Sequence, residues 1–101
     1  MVYTKSIEFE WDLIKSISNV LKHNVTFETA VFAFYDPNAF IEQDAGHSDE
    51  EIRERLIGES KSGILVVVFT LREAGQKYRI ISARKANAKE RKKYEKNLEK
   101  D

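Results

Sequence analysis

The sequence predicts an α+β domain in the order helix, helix, antiparallel strands, helix, with the helices laid on a sheet of three to four strands. Three observations carry this. Apolar residues recur at helical spacing from Leu13 to Phe34, a continuous β-branched run covers Ile64 to Thr70, and a capping signal opens a last helix at Asn87.

Leu13, Ile14, Ile17, Val20 and Leu21 fall at helical spacing behind Asp12, which is placed to cap the first turn, so a helix runs from about Leu13 to His23. Asn24 follows where helices commonly end in a left-handed residue, a conformation asparagine tolerates well. Thr26 caps a second short helix through Phe27, Ala30, Val31 and Phe34, which Asp36-Pro37 stops. Glu42 to Glu59 reads as acidic loop first and strand after. Between Ile52 and Glu59 both periods are present: Ile52 and Leu56 would share a helix face, while Arg53, Arg55 and Ile57 would share a strand face, and strand is the reading adopted.

Ile64-Leu65-Val66-Val67-Val68-Phe69-Thr70 is apolar without alternation, as a central strand buried on both faces must be. A turn at Ser60 to Gly63 precedes it. A second turn, Arg72 to Gln76, joins it to a partner strand from Lys77 to Ala83. Asn87 with Glu90 three residues later is a variant of the capping box, and the helix it opens runs through Tyr94 and Leu98 on a thin apolar stripe.

At 101 residues the chain suffices for one core, so a single domain over 1–101 is expected. With 42% hydrophobic and 34% charged residues and one proline, the composition is that of a globular protein and not a disordered one. No apolar run is long enough to span a bilayer, and Met1-Val2-Tyr3-Thr4-Lys5 lacks the apolar core of a signal peptide; a soluble, cytoplasmic protein with no membrane partner is expected. The absence of cysteine excludes disulfides, thiolate nucleophiles and cysteine-bound zinc. Formal net charge is zero, yet residues 79–101 hold nine Lys/Arg against four Asp/Glu, which leaves the rest of the chain acidic. One cationic face is implied, and not a surface that is basic all round.

The stretch Arg79-Ile80-Ile81-Ser82-Ala83-Arg84-Lys85-Ala86 puts arginines at both ends of an apolar strand. Arginine keeps its charge at any physiological pH, and its planar fork of donors matches phosphate oxygens in pairs. Arginines at strand ends are also common solvated residues, and Lys89-Glu90-Arg91-Lys92-Lys93 is equally the wet face of a helix. A second constellation, Asp44, His47, Asp49, Glu50 and Glu51, offers oxygen and nitrogen ligands for a divalent ion. Its spacing matches no known ligand loop, and acids clustered in a loop are ordinarily solvated.

Phe9-Glu10-Trp11-Asp12 with Lys15, then Asn19, Lys22-His23-Asn24-Val25 with Phe27, Glu28 and Ala30, then Asp36-Pro37, together resemble the BrnT toxin family. The likeness continues through Gly58, the apolar strand to Thr70, the Arg79 to Ala86 stretch, Glu90-Arg91 and Tyr94, and so covers nearly the whole chain. The family usually has glycine where this chain has Asn24, a change that preserves the left-handed cap. It typically shows one Glu-Arg pair before the strand leading to Gly58, where this chain has Glu51-Ile52-Arg53-Glu54-Arg55, so either Arg53 or Arg55 is the matching arginine. The resemblance implies a fold similar to RelE ribonucleases and an endoribonuclease toxin of a type II toxin–antitoxin pair, which halts translation by cutting RNA. It implies neutralisation by a BrnA-like antitoxin protein, with operator DNA bound only through that antitoxin.

RNA cleavage without metal or other cofactor needs the 2′-hydroxyl deprotonated, the phosphorane charge stabilised and the 5′-oxygen protonated. Arg79 is the expected transition-state cation and Arg84 a phosphate clamp, against the alternative that each only forms a structural salt bridge. Five apart on a regular strand, the two would stand on opposite faces; one phosphate can meet both only if the strand ends or twists near Ala83. His23 is the expected general base or acid, since imidazole titrates near neutrality, although a histidine in a last helical turn also serves as a cap. Arg53 is the third catalytic candidate, and Lys22, Lys85 and Arg55 are expected RNA contacts. Tyr94 has the chemistry to stack on a base but reads first as core. The competing class is a non-catalytic module of the same fold that binds RNA or protein.

Overall fold

The computed structural model describes residues 7–43 and 52–99. Its elements run β1 (Glu8–Trp11), α1 (Leu13–His23), α2 (Phe27–Ala33), β2 (Phe40–Gln43), β3 (Glu54–Ser60), β4 (Gly63–Arg72), β5 (Lys77–Lys85) and α3 (Ala88–Leu98). The five strands form one sheet in the order β1-β5-β4-β3-β2, with β1 parallel to β5 and every other pair antiparallel. The α+β class and the three helices match expectation. The sheet is larger than expected and mixed, because β1 and β2 are four-residue edge strands too short to show a period of their own.

The caps are those the sequence marks. Asp12 accepts from the Lys15 N–H and Thr26 from the Thr29 N–H, Asn24 is left-handed at φ 57°, and Asn87 with Glu90 closes a full capping box. β4 lies at the centre and is buried on both faces: Leu65, Val67 and Phe69 meet the α2 side with Phe27, Ala30 and Ala33, while Val66 meets Ile57, Ala86 and Tyr94 on the α3 side. That two-sided burial explains its unbroken apolar run.

β1 is held by its aromatic side chains. Phe9 and Trp11, two apart, pack against the larger core; Phe9 meets the Phe34 and Tyr78 rings edge-on at 5.0 and 5.7 Å, and Trp11 meets Phe27 at 5.8 Å. Glu8 and Glu10 alternate with them and therefore stand on the opposite face. Gly58 in β3 is a close approach: a Cβ there would lie 2.7 Å from the Ala33 carbonyl oxygen.

α1 departs from the simplest reading of its own pattern. Leu13, Ile14, Ile17 and Leu21 are exposed, and the one residue of the helix that is buried is Asn19. Beyond Trp11, whose partner is Ile80, β1 no longer covers β5, and Asn19 takes its place. Its Oδ1 accepts from the Ala83 N–H at 3.0 Å, and its Nδ2 donates to the Ala83 and Val25 carbonyls at 2.8 and 2.9 Å. The helix thus docks on the sheet edge through its polar side, because a strand edge offers hydrogen-bonding groups that only a polar side chain can satisfy.

Candidate functional site

The antiparallel register of β4 and β5 shifts at Val68/Phe69. Val68 opposes Ser82 and Phe69 opposes Ile80, leaving Ile81 as an extra residue in β5. One inserted residue reverses the side-chain parity on either side of it. Arg79 opposes Thr70 and Arg84 opposes Val66. Thr70 and Val66 are four apart on a regular stretch of β4, so the two arginines share a face despite their odd spacing. The bulge supplies what a regular strand denies.

Arg55 opposes Val68 and joins the same face from β3. α3 covers only the Ile57, Val66 and Phe40 end of that face, so Arg79, Arg55 and Arg84 stand around the remainder, all half-buried. Each is held by a carboxylate. Arg79 Nη1 donates to Glu10 Oε2, and Lys77 Nζ approaches Glu10 Oε1 at 3.9 Å. Arg84 makes two parallel bonds to Glu90, both 2.8 Å. Arg55 Nη2 bonds Glu42 Oε1 at 2.6 Å while its Nη1 lies 3.7 Å from Glu90, and Lys93 Nζ reaches the other Glu42 oxygen at 2.8 Å.

Glu90 ties this set together. Its carboxylate accepts the Asn87 N–H at 2.9 Å as an N-terminal cap of α3 while it clamps Arg84. The bonds from Arg84, opposed by burial and aided by the Asn87 N–H and the charges of Arg84 and Arg55, hold its carboxyl down at about 2. The same pairing raises Arg84. Burial works against ionised Glu42, but bonds from Lys93 first and Arg55 second outweigh it and lower its pKa. A guanidinium has five N–H donors and each carboxylate engages only one or two, so donors remain on this face for a second anion.

Arg53 sits two residues before Arg55, ahead of the first residue of β3, half-buried with its Nε shielded from solvent. The ladder register places Arg55 on the arginine face, whereas Arg53 lies outside the paired stretch. Lys85 opposes Leu65, whose side chain belongs to the α2 side of the sheet, so Lys85 stands on the other face from Arg84. Lys22 and His23, at the exposed end of α1, line a groove of about 230 Å³ with Lys15, Ser18, Asn19, Ile81 and Ser82. No arginine lines it, but it meets β5 at the bulge, between Arg79 and Arg84 in the chain.

Tyr94 is core, as its first reading has it. It is buried in the cluster under α3, and its hydroxyl donates to Asp36 Oδ2. Burial and the Asp36 carboxylate both push its phenol far up. Asp36 is opposed by burial but lowered overall by the Tyr94 hydroxyl and by the Glu59 and Asn38 N–H groups. The acidic set Asp44, His47, Asp49, Glu50 and Glu51 lies outside the described residues; among those described, no group of three or more such side chains is placed to hold a metal ion.

Sequence reasoning quoted Glu10 and Glu90 as motif residues without giving them a part in the site, and passed over Glu42. The signal was present for Glu90, three residues from its cap partner. For Glu10 and Glu42 it is visible only once β1 and β2 are paired.

Fold and site define a small α+β protein whose mixed sheet carries three carboxylate-braced arginines on one partly open face. The sequence model of the ribonuclease toxin, BrnT, of type II toxin–antitoxin systems matches residues 11–90, and the chain belongs to that family. A comparison with curated proteins finds no match. No helix among the described residues is long and apolar enough to cross a membrane.

Proposed function

We propose that this ribonuclease toxin cuts RNA on the arginine face of its sheet, without a metal ion, and so inhibits translation in the cytoplasm until a BrnA-like antitoxin binds it. The observation that carries the reading is the bulge at Ile81, which brings Arg79 and Arg84 onto one face. Arg79 stabilises the phosphorane and Arg84 grips an adjoining phosphate, with Arg55 extending the cationic floor. Glu10, Glu90 and Glu42 fix the guanidiniums so that little reorganisation is needed when charge develops.

In the reaction the 2′-oxygen bonds to phosphorus as its proton passes to a base, and the P–O5′ bond breaks as the 5′-oxygen takes up a proton, leaving a cyclic phosphate. His23 is the proton carrier assigned here, reaching the RNA from the groove that adjoins the bulge, with Lys22 on a neighbouring phosphate. Arg53 supports the floor from its position ahead of β3. Lys85, on the other face, is at most a contact for RNA that wraps the strand end.

One observation favours the second reading, a non-catalytic binding module: Arg55, Arg79 and Arg84 are each already engaged by a carboxylate. Induced expression separates the two. Growth arrest with fragmented RNA is expected, lost on Arg79→Ala with the fold intact by circular dichroism, at a cost of about 10²–10³ in rate. Cleavage should persist in excess chelator. Normal growth at high soluble expression sinks the enzymatic reading.

A further inference from the structure

The arginine face ends against one flank of α3. Glu90, Lys93 and Asn97, at i, i+3 and i+7, share that flank, and contacts run along it without a break: Arg84 to Glu90, Glu90 to Arg55, Arg55 to Glu42 and Glu42 to Lys93. At the far end, between α3 and β2, lies a cleft of about 270 Å³ lined by Phe40, Lys93, Lys96 and Asn97. Phe40 opposes Ile57 and is two residues from Glu42, which opposes Arg55, so its ring stands on the arginine face. The cleft is continuous with that face, and the cleavage chemistry makes no use of it.

Its lining selects a ligand. Two lysines and no carboxylate line it, which calls for an anion. Lys93 is shared with Glu42, but Lys96 has no carboxylate within ion-pair reach among the described residues. The half-buried Phe40 adds an aromatic surface. Asn97 spends one N–H on the Asn38 carbonyl at 2.9 Å, which leaves its Oδ1 and its other N–H for a partner. Cation, ring and amide together match the phosphate, face and edge of a nucleotide. An acidic peptide would satisfy the lysines but not the ring.

We propose that this cleft is a nucleobase subsite for single-stranded RNA: a base stacks on Phe40, Lys96 and Lys93 hold the phosphate beside it, and Asn97 meets the base edge. The inference rests on the RNA part of the function proposed above. β2 lies three strand spacings from β5, about 14 Å, so the base held here belongs to a nucleotide beyond the one that is cut.

The probe is a short single strand of 2′-fluoro RNA, which cannot be cleaved, compared with a copy that lacks its bases; binding to the full chain is followed by fluorescence anisotropy. The parent should prefer the intact strand, and Phe40→Leu, which keeps an apolar side chain in the core under α3, should lower that preference about tenfold. Lys96→Gln, at an exposed position, should weaken both strands alike and make the slope of log affinity against log salt shallower by about 0.7. Equal losses for Phe40→Leu on the two strands, or no loss on either, overturn the proposal. So do variants that bind the cognate antitoxin less tightly while their RNA binding is unchanged, because the cleft then belongs to the protein partner. If the parent shows the expected preference but cuts no RNA, the subsite stands and the ribonuclease reading falls. If it cuts RNA and Phe40→Leu discriminates as well as the parent, only the subsite falls.

Discussion

Replacing Glu90 by glutamine removes one negative charge from the point where α3, β5 and β3 meet and leaves the shape almost unchanged. The amide oxygen can still accept the Asn87 N–H, as Gln does in capping boxes, so the cap is largely spared and the ion pair is isolated. The Glu90 side chain is 9% exposed, so solvent screens this pair little on the carboxylate side. Its carboxyl is held at about 2 against an ordinary 4.5, chiefly by the two bonds from Arg84. At ~1.4 kcal/mol per pKa unit this corresponds to about 3 kcal/mol of folding stability near neutrality, reduced somewhat because Arg84 is partly exposed and keeps a neutral acceptor in the variant. Because the folded pKa is depressed, the contribution is complete above the unfolded value and is lost as pH falls through about 4.5 toward about 2. Urea unfolding followed by circular dichroism should therefore show Glu90→Gln about 2–3 kcal/mol less stable at pH 7, with the gap less than half as large by pH 3. A gap of the same size at both pH values would refute the reasoning, since it would trace the loss to packing and not to charge.

Asn19→Ala should cost about 2–4 kcal/mol, read as a lower urea midpoint, because it strands the Ala83 N–H and C=O and the Val25 C=O. A variant as stable as the parent would show that water replaces the side chain at the β5 edge. Gly58→Ala should lose about 1–3 kcal/mol or more, because a Cβ there meets the Ala33 carbonyl oxygen at 2.7 Å and the Ala39 Cβ at 2.9 Å, and a backbone oxygen cannot rotate aside. An unchanged melting temperature would contradict that contact.

The parts of this protein written within a few neighbouring residues could be read directly. Asp12, Thr26 and Asn87 mark helix starts, Asn24 marks an end, and the Ile64 to Thr70 run marks the central strand, because caps and burial patterns act over one or two turns or a single strand. The motifs that tie the chain to its family are likewise linear. What only the tertiary structure decided is pairing. β1 exists because Phe9 and Trp11 find Phe34, Tyr78 and Phe27, residues far away in the sequence. Spacing alone separates Arg79 from Arg84, and a single unmatched residue, Ile81, reunites them, because the face a side chain takes depends on the register with β4 and not on the strand's own sequence. α1 makes the same point. Its pattern determined that a helix forms, but the unmet hydrogen bonds of the β5 edge determined that its polar side turns inward and its apolar side stays outside.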